Sequence, residues 1–336
     1  MTILGLDIGG ANLKLADGQG LARSQFFPLW KHPEKLAATL SEMLREAPPA
    51  DLIAATMTGE LADCFATKAD GVRAIVEAIE RAAGGVATRI YLVDGRLVEP
   101  AEACEFPLLA AASNWHALAR FASRWVDDIG LLIDIGSTTT DIIPIVSGHP
   151  KSSGLNDPAR LVSGELVYTG VVRSPLCGVV KQLPWRGKSC RVAQELFSTT
   201  WDAYLVLGEM SEDSTATHTA DGRPATRCCA HDRLARAICA DRTLFTWDDA
   251  VTAAHVIKRM QLDDLAAALK QVLGAMRGQP KTVVVSGQGE FLARQLVERK
   301  LPETRMISLN DSLGPNLSQV AAAHAIAVLA REEWSR

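Results

Sequence analysis

The chain has 336 residues, 48% hydrophobic and 22% charged, with a formal net charge of −4. That balance supports a sizeable core and excludes a disordered chain, and the length fits two domains of about 150 residues each. Mild acidity argues against non-specific nucleic-acid binding, and no apolar run approaches the roughly 20 residues of a membrane helix.

The first element, Ile3–Ala16, reads as strand, tight glycine turn and antiparallel strand. Asp7 ends the first strand and Gly9-Gly10-Ala11-Asn12 make the turn. Glycines let backbone N–H groups approach an anion, and a strand-end aspartate suits Mg²⁺. An ordinary hairpin with a polar turn is the alternative. Pro33–Leu44 is predicted helical, Asp51–Thr58 a buried strand and Gly71–Ala83 a helix closed by Gly84-Gly85. A short strand over Ile90–Val93, with Leu97–Val98 as its continuation after a turn, and an alanine-rich helix over Pro107–Trp125 complete an α/β first half. The chain opens on a core strand with no basic, cleavable leader ahead of it. Its seven cysteines lack disulfide spacing, so reduced thiols and a cytoplasmic location are expected.

Leu131–Ile145 then repeats the opening pattern: a strand ending in Asp134, the turn Gly136-Ser137-Thr138-Thr139, and a second apolar strand. Two Asp-Ile-Gly turns, one in each half, indicate duplicated lobes gripping a polyphosphate, with Asp7 and Asp134 sharing one Mg²⁺. Beyond them, Leu161–Val180 reads as a strand-rich meander, Pro184–Lys188 as a turn and Ala193–Gly208 as helix leading into strand. Glu209–Thr226 is a polar loop, either ordered or mobile. Arg227–Ala240, Asp248–Met260 and Leu262–Met276 read as helices. Thr282–Val285 is a buried strand running into a third glycine turn with Gly287 and Gly289. The helix Phe291–Arg299, the strand Met306–Leu309 and the closing helix Ser318–Arg331 follow.

Several side chains are candidates for chemistry. Glu60, with Asp63 near it, sits where active sites gather in open α/β sheets and is a candidate general base; acidic residues favouring a helix N-terminus are the alternative. Arg173 stands in an apolar segment and suits phosphate oxygens, with a plain surface arginine as the alternative. Lys14 follows the first turn. Arg233 and Arg236 share a helix face and could reach a diphosphate or a substrate carboxylate, with a solvated face the more common outcome for charged residues on a helix. Cys228, Cys229, His231 and Cys239 do not have the spacing of a two-pair structural zinc site.

Taken together, several segments resemble one family. They are Asp7-Ile-Gly-Gly-Ala-Asn12, Met57-Thr-Gly-Glu-Leu-Ala-Asp63, Asp134-Ile-Gly-Ser-Thr-Thr-Thr-Asp141, Gly164-Glu-Leu-Val-Tyr-Thr-Gly170, Arg173-Ser-Pro175, Thr219-Ala-Asp-Gly222 and Arg233-Leu-Ala-Arg236. The chain is similar, over nearly its whole length, to the hydantoinase/oxoprolinase-like branch of the actin-like ATPase superfamily. That branch contains the methanofuran-biosynthesis condensing enzyme and bacterial relatives linked to tetrahydromethanopterin-dependent one-carbon transfer. Gly59 and Leu13 stand where the family more usually has alanine and threonine.

The resemblance implies a two-lobed actin-like (ribonuclease H-like) α/β fold built from duplicated βββαβαβα-type units. Its first lobe would span 1–128 plus 318–336. The second would span 129–317, with a helical insertion at about 184–262. It further implies a transferase that joins an aminomethylfuran-methyl diphosphate to the phenol of γ-glutamyltyramine and releases diphosphate. The alternative is an ATP-dependent hydrolase or small-molecule kinase. The implied site comprises Asp7 and Asp134 on Mg²⁺, with Glu60, Asp63, Asp7 and Arg173 catalytic. Gly9, Gly10, Ala11, Asn12, Lys14, Gly136, Ser137, Thr138, Thr139, Gly287 and Gly289 would bind phosphate or nucleotide. The partners expected are small-molecule diphosphate and phenol substrates, with Mg²⁺ and ATP as candidate cofactors. A homo-oligomer is left open, and neither nucleic acid nor membrane is expected.

Overall fold

The computed structural model describes residues 1–334; the last two positions of the 318–336 segment lie outside the described residues. The first half forms β1 (Ile3–Ile8), β2 (Asn12–Ala16), β3 (Ala22–Phe26), β4 (Leu52–Met57), β5 (Ala87–Tyr91) and β6 (Leu97–Val98). The second forms β7 (Ile129–Ile135), β8 (Thr140–Val146), β9 (His149–Pro150) and β10 (Leu166–Val167). It continues through a hairpin, β11 (Gln182–Trp185) and β12 (Lys188–Arg191), to β13 (Thr282–Ser286) and β14 (Arg305–Ser308).

The two sheets run β3-β2-β1-β4-β5-β6 and β10-β8-β7-β13-β14. In each, an antiparallel three-strand meander is followed by two parallel strands, and the order is the same. This is the duplicated two-lobed actin-like architecture that the resemblance implies. β1 and β4 are buried at all six positions, as continuous apolar runs must be when both sheet faces are covered. The Ala321–Trp334 helix returns to cover β1 and β4 and packs beside the Asn114–Ala122 helix. It lies so close that a Cβ on Gly5 would stand 2.1 Å from the Ala323 carbonyl oxygen.

Several elements differ from expectation. The Pro107–Trp125 helix is broken into Pro107–Ala110, Asn114–Ala122 and a 3₁₀ turn, Ser123–Trp125. Ala112 takes φ +49° at the break, and the Ser113 N–H donates to the Met57 carbonyl at the end of β4. Leu97–Val98 pairs antiparallel with β5 rather than extending it. Strand β3 was not anticipated: its sequence, Ala-Arg-Ser-Gln-Phe, is nearly all exposed and carries no apolar alternation.

The Leu161–Val180 segment is not strand-rich. It begins inside a helix, Asp157–Ser163, whose Asn156 cap accepts from the Ala159 N–H. Its amides at 171–173 bond the second glycine turn rather than a ladder. Pro184–Lys188 belongs to the β11–β12 hairpin, with Arg186-Gly187 as the turn. Ala193–Gly208 yields one helix, Thr200–Leu207, stopped by Gly208 at φ +71°, and no strand.

The two helices expected over 248–276 are one, Trp247–Ala275, opened by a Thr246/Asp249 capping box. Buried Gln261 lies mid-helix, donating to the Gly170 carbonyl and Thr169 Oγ1 at 2.9 Å each. The polar stretch 209–226 is ordered: Asp213 and Ala225 bridge its ends, and Asp221 accepts from Arg233 and Arg236 at 3.1 Å each. Arg233 is fully buried on Asp202 at 2.7 Å and is committed to structure, which excludes the diphosphate contact considered for it; Arg236 pairs with Asp221 on the more exposed side of the helix.

Gly5→Ala tests the close helix–sheet approach. Urea unfolding should show a loss of about 1–3 kcal/mol, because two of the three obstructing atoms, the nearest included, are backbone. Gly20→Ala, with open space at its Cβ, should stay within about 0.5 kcal/mol of the parent.

Candidate functional site

The two Asp-Ile-Gly turns have one backbone plan. The Gly9 N–H donates to the Asn12 carbonyl at 3.0 Å, and the Gly136 N–H to the Thr139 carbonyl at 2.9 Å. Their outer carbonyls are also occupied. Gly10 and Ala11 accept from Leu29 and Phe27; Gly136 and Ser137 accept from Val171, Val172 and Arg173. Among the described residues, the amides of Gly10, Ala11, Ser137 and Thr138 have no intramolecular acceptor. Both turns line one cleft of about 470 Å³, so four free donors border a shared space, the arrangement an anion needs. Gly170 makes the second turn tight: a Cβ there would lie 2.5 Å from backbone atoms of Ser137 and Thr138.

Asp7 and Asp134 both line this cleft, but their hairpins differ at the paired position. Asp7 faces Lys14 across β1–β2, with Nζ 3.5 Å from Oδ2. Asp134 faces Asp141 across β7–β8. Asp141 is held by buried Arg160, whose guanidinium lies 4.0 Å over the Trp115 ring. Burial, then the Asp141 charge, push the Asp134 carboxyl up to about 6. Asp134 Oδ1 is buried without a hydrogen-bond partner among the described residues. An orphaned carboxylate oxygen beside a second carboxylate suits a hard divalent cation or its bound water.

Glu60 enters the cleft from the end of β4 and is buried, whereas Asp63 is exposed at the mouth. Burial raises the Glu60 carboxyl above its ordinary range, against the nearby Lys68 charge. Glu60 Oε2 has no partner among the described residues, and Lys68 Nζ lies 3.6 Å from Oε1. Arg173 reaches the cleft from the second lobe, its guanidinium 4.9 Å over Trp30 of the first.

The structure thus brings Asp7, Gly9, Gly10, Ala11, Asn12, Lys14, Glu60, Asp63, Asp134, Gly136, Ser137, Thr138, Thr139 and Arg173 to one cleft. Gly287 lines a smaller adjoining cavity of about 70 Å³ shared with Asn12, Lys14 and Asp134. Gly289 lines neither: its Cα packs under Ile135 and Val171, where a Cβ would come within 2.5 Å of Ile135 Cγ2. His231, one of the residues weighed for zinc, bonds the Phe245 carbonyl at 2.7 Å.

Sequence reasoning missed Trp30, Lys68, Trp115, Asp157 and Arg160. Asp141 had a readable signal: it follows Asp134 by the spacing at which Lys14 follows Asp7.

Comparison with known proteins agrees with this geometry. The Hydantoinase/oxoprolinase family model matches residues 51–331. The chain belongs to that family. It is 32% identical over 337 residues, 99% of each chain, to the (4-{4-[2-(gamma-L-glutamylamino)ethyl]phenoxymethyl}furan-2-yl)methanamine synthase of Methanocaldococcus jannaschii. It is 30% identical over 217 residues to the enzyme of the same name from Methanococcus vannielii, covering 64% of this chain and 96% of that one. Among solved structures, nucleotide-free acetone carboxylase superposes with a TM-score of 0.56 at 12% identity, over 97% of this chain and 70% of that one, a likeness of fold. No helix among the described residues is long and apolar enough to cross a membrane.

Asp134 gives a signed pH prediction for the cation-free protein. Its folded carboxyl lies near 6, above the ordinary 3.8, so the folded state binds the proton more tightly. The associated stability is full below the unfolded value and is lost as pH rises through about 6. Asp134→Asn should therefore be more stable than the parent at pH 8, and the gap should shrink towards pH 4. The difference is on the order of 3 kcal/mol at about 1.4 kcal/mol per pKa unit and is read by urea unfolding at each pH.

Proposed function

We propose that this chain is a transferase of methanofuran-type cofactor biosynthesis. In this reading it condenses an aminomethylfuran-methyl diphosphate with the phenol of γ-glutamyltyramine or a related tyramine, and releases diphosphate. The observation that carries the reading is the pair of facing turns. Their free amides and two carboxylates border one cleft, in a chain related along its full length to enzymes of that name. The same turns in an ATP-dependent hydrolase or kinase would hold ATP, and the family match keeps that as the second reading.

The chemistry follows from charge. The furfuryl carbon–oxygen bond breaks with its electron pair leaving on diphosphate. The electron-rich furan bears the cationic carbon, and the phenol oxygen forms the new bond while its proton passes to a base. Leaving-group stabilisation is then the main task. The amides of Gly10, Ala11, Ser137 and Thr138, with Lys14 and Arg173, donate to the departing diphosphate. A Mg²⁺ held by Asp7 and Asp134 would supply further neutralisation of that charge. Glu60 accepts the phenol proton: it is buried with a free oxygen, and its raised carboxyl makes it a stronger base than a solvated one. Asp63, exposed at the mouth, is the weaker candidate.

The substrates are soluble small molecules, and we place the protein in the cytoplasm. Thermal shift in Mg²⁺ separates the two readings: diphosphate should stabilise the protein at least as well as ATP. Strong stabilisation by ATP with little by diphosphate would favour the second. In a coupled diphosphate assay, Asp7→Ala and Asp134→Ala should each abolish release; retained turnover would remove the shared-cation arrangement.

A further inference from the structure

We propose that Lys68 is a positioning residue that sets the basicity of Glu60, its one ammonium being shared between Glu60 of the first lobe and Asp157 of the second. The inference rests on the reading of Glu60 as the proton acceptor.

The geometry begins with the Lys68–Ala83 helix, capped by Thr67, whose side chain accepts from the Asp70 N–H. Gly71 seats this helix directly on Glu60: a Cβ there would stand 2.1 Å from the Glu60 carbonyl oxygen. Lys68 is thereby fixed beside the base. Its Nζ lies 2.6 Å from Asp157 Oδ2 and 3.6 Å from Glu60 Oε1. Asp157 opens the Asp157–Ser163 helix of the second lobe. It leads on through Arg160, 3.8 Å away, to Asp141 on the strand facing Asp134. Carboxylate and cation alternate from Glu60 to Asp141, and the only step that crosses between lobes in this series is Lys68–Asp157.

The ammonium sits nearer Asp157 than Glu60. Glu60 is consequently short of counter-charge, and its Oε2 has no partner among the described residues. Without Asp157, Lys68 would be left to Glu60 alone, which would hold the carboxylate ionised and make it a poorer base. The groups facing Glu60 are the Lys68 ammonium, the Asp157 carboxylate and the Ala112 amide, and burial of Glu60 itself is the largest influence on its carboxyl. Lys68 itself remains charged: burial disfavours the ammonium, but its hydrogen bond and charge contact with Asp157, and then Glu60, hold it above the ordinary lysine value.

A clasp that only held the lobes together, without charge coupling to Glu60, would leave the Glu60 titration unmoved from either end. The proposal predicts opposite effects. In Lys68→Met, Glu60 loses its cation and its carboxyl should titrate higher. In Asp157→Asn, Lys68 turns wholly to Glu60, which should titrate lower. Each shift should be roughly one unit. Difference infrared spectroscopy of the full chain without substrate reads this directly, the Glu60 band being the one lost in Glu60→Gln. The acidic limb of kcat for diphosphate release should move with it, with KM for the diphosphate donor little changed. Lys68→Arg keeps the charge and should titrate near the parent.

Shifts of the same sign in Lys68→Met and Asp157→Asn, or no shift in either, would overturn the proposal. Should Lys68→Met not fold, Lys68→Arg and Asp157→Asn carry the comparison, and Asp157→Asn titrating with or above Lys68→Arg would overturn it. Opposite infrared shifts in a protein that releases no diphosphate would sustain the role of Lys68 while removing the transferase reading.

Discussion

Two acids facing one space, Asp7 buried and Asp134 half-buried, constrain the rest of this molecule. Asp7 and Asp134 end the central strands of their sheets, β1 and β7, and line a common cleft. A carboxylate in such a position is disfavoured by burial, and a second one nearby adds repulsion. The chain answers with positive groups at fixed register: Lys14 opposite Asp7, and Arg160 behind Asp141. It also leaves the turn amides unspent, so the cleft carries more donor capacity than its own backbone uses. Negative charge in the protein and oriented dipoles around it fit the proposed pairing of a polyanion with a cation.

The duplication is close in backbone and unequal in side chains. Strand order and the turn hydrogen bond repeat, yet the lysine of the first hairpin is an aspartate in the second. Burial, and then the charge of Asp141, raise the Asp134 carboxyl, and its Oδ1 has no partner among the described residues. The exchange also recruits the Asp157–Ser163 helix, whose Arg160 balances Asp141 and whose Asp157 reaches across the cleft to Lys68. One substitution of sign inside a repeated hairpin thus accounts for the charge series that ties the second turn to the first lobe.

The elements carrying chemistry were legible in sequence because each rests on a local rule. Strands β1, β4, β7 and β13 are apolar runs bounded by glycine or aspartate, and the two turns announce themselves by repetition. Glu60 was legible as a polar residue at a strand end. The misses share another cause. β3 is held by pairing to β2 and shows no pattern of its own. The 161–180 segment bonds the second turn instead of a neighbouring strand. The long Trp247–Ala275 helix passes unbroken through Gln261 because Thr169, Gly170 and Tyr204 satisfy that buried amide. Lys68, Asp157 and Arg160 are ordinary charged residues on helices until the lobes meet, and no spacing along one helix records a partner in the other half of the chain.

The contacts where the lobes meet also bear on what the cleft admits. Lys68 pairs with Asp157, Arg173 lies over Trp30, and His218 of the polar loop stacks on Phe26 of β3 at 4.4 Å while tilting against Trp201. Two of these three are aromatic, and of them the Arg173–Trp30 pair lines the cleft that also holds the carboxylates, ammonium and free amides. Leu61 and Tyr168 line the same cleft from opposite lobes while remaining 61% and 68% exposed, so its rim offers apolar surface to a ligand. A purine base stacks on such a rim as well as a phenol does, so this surface suits an anion carried on a flat apolar group.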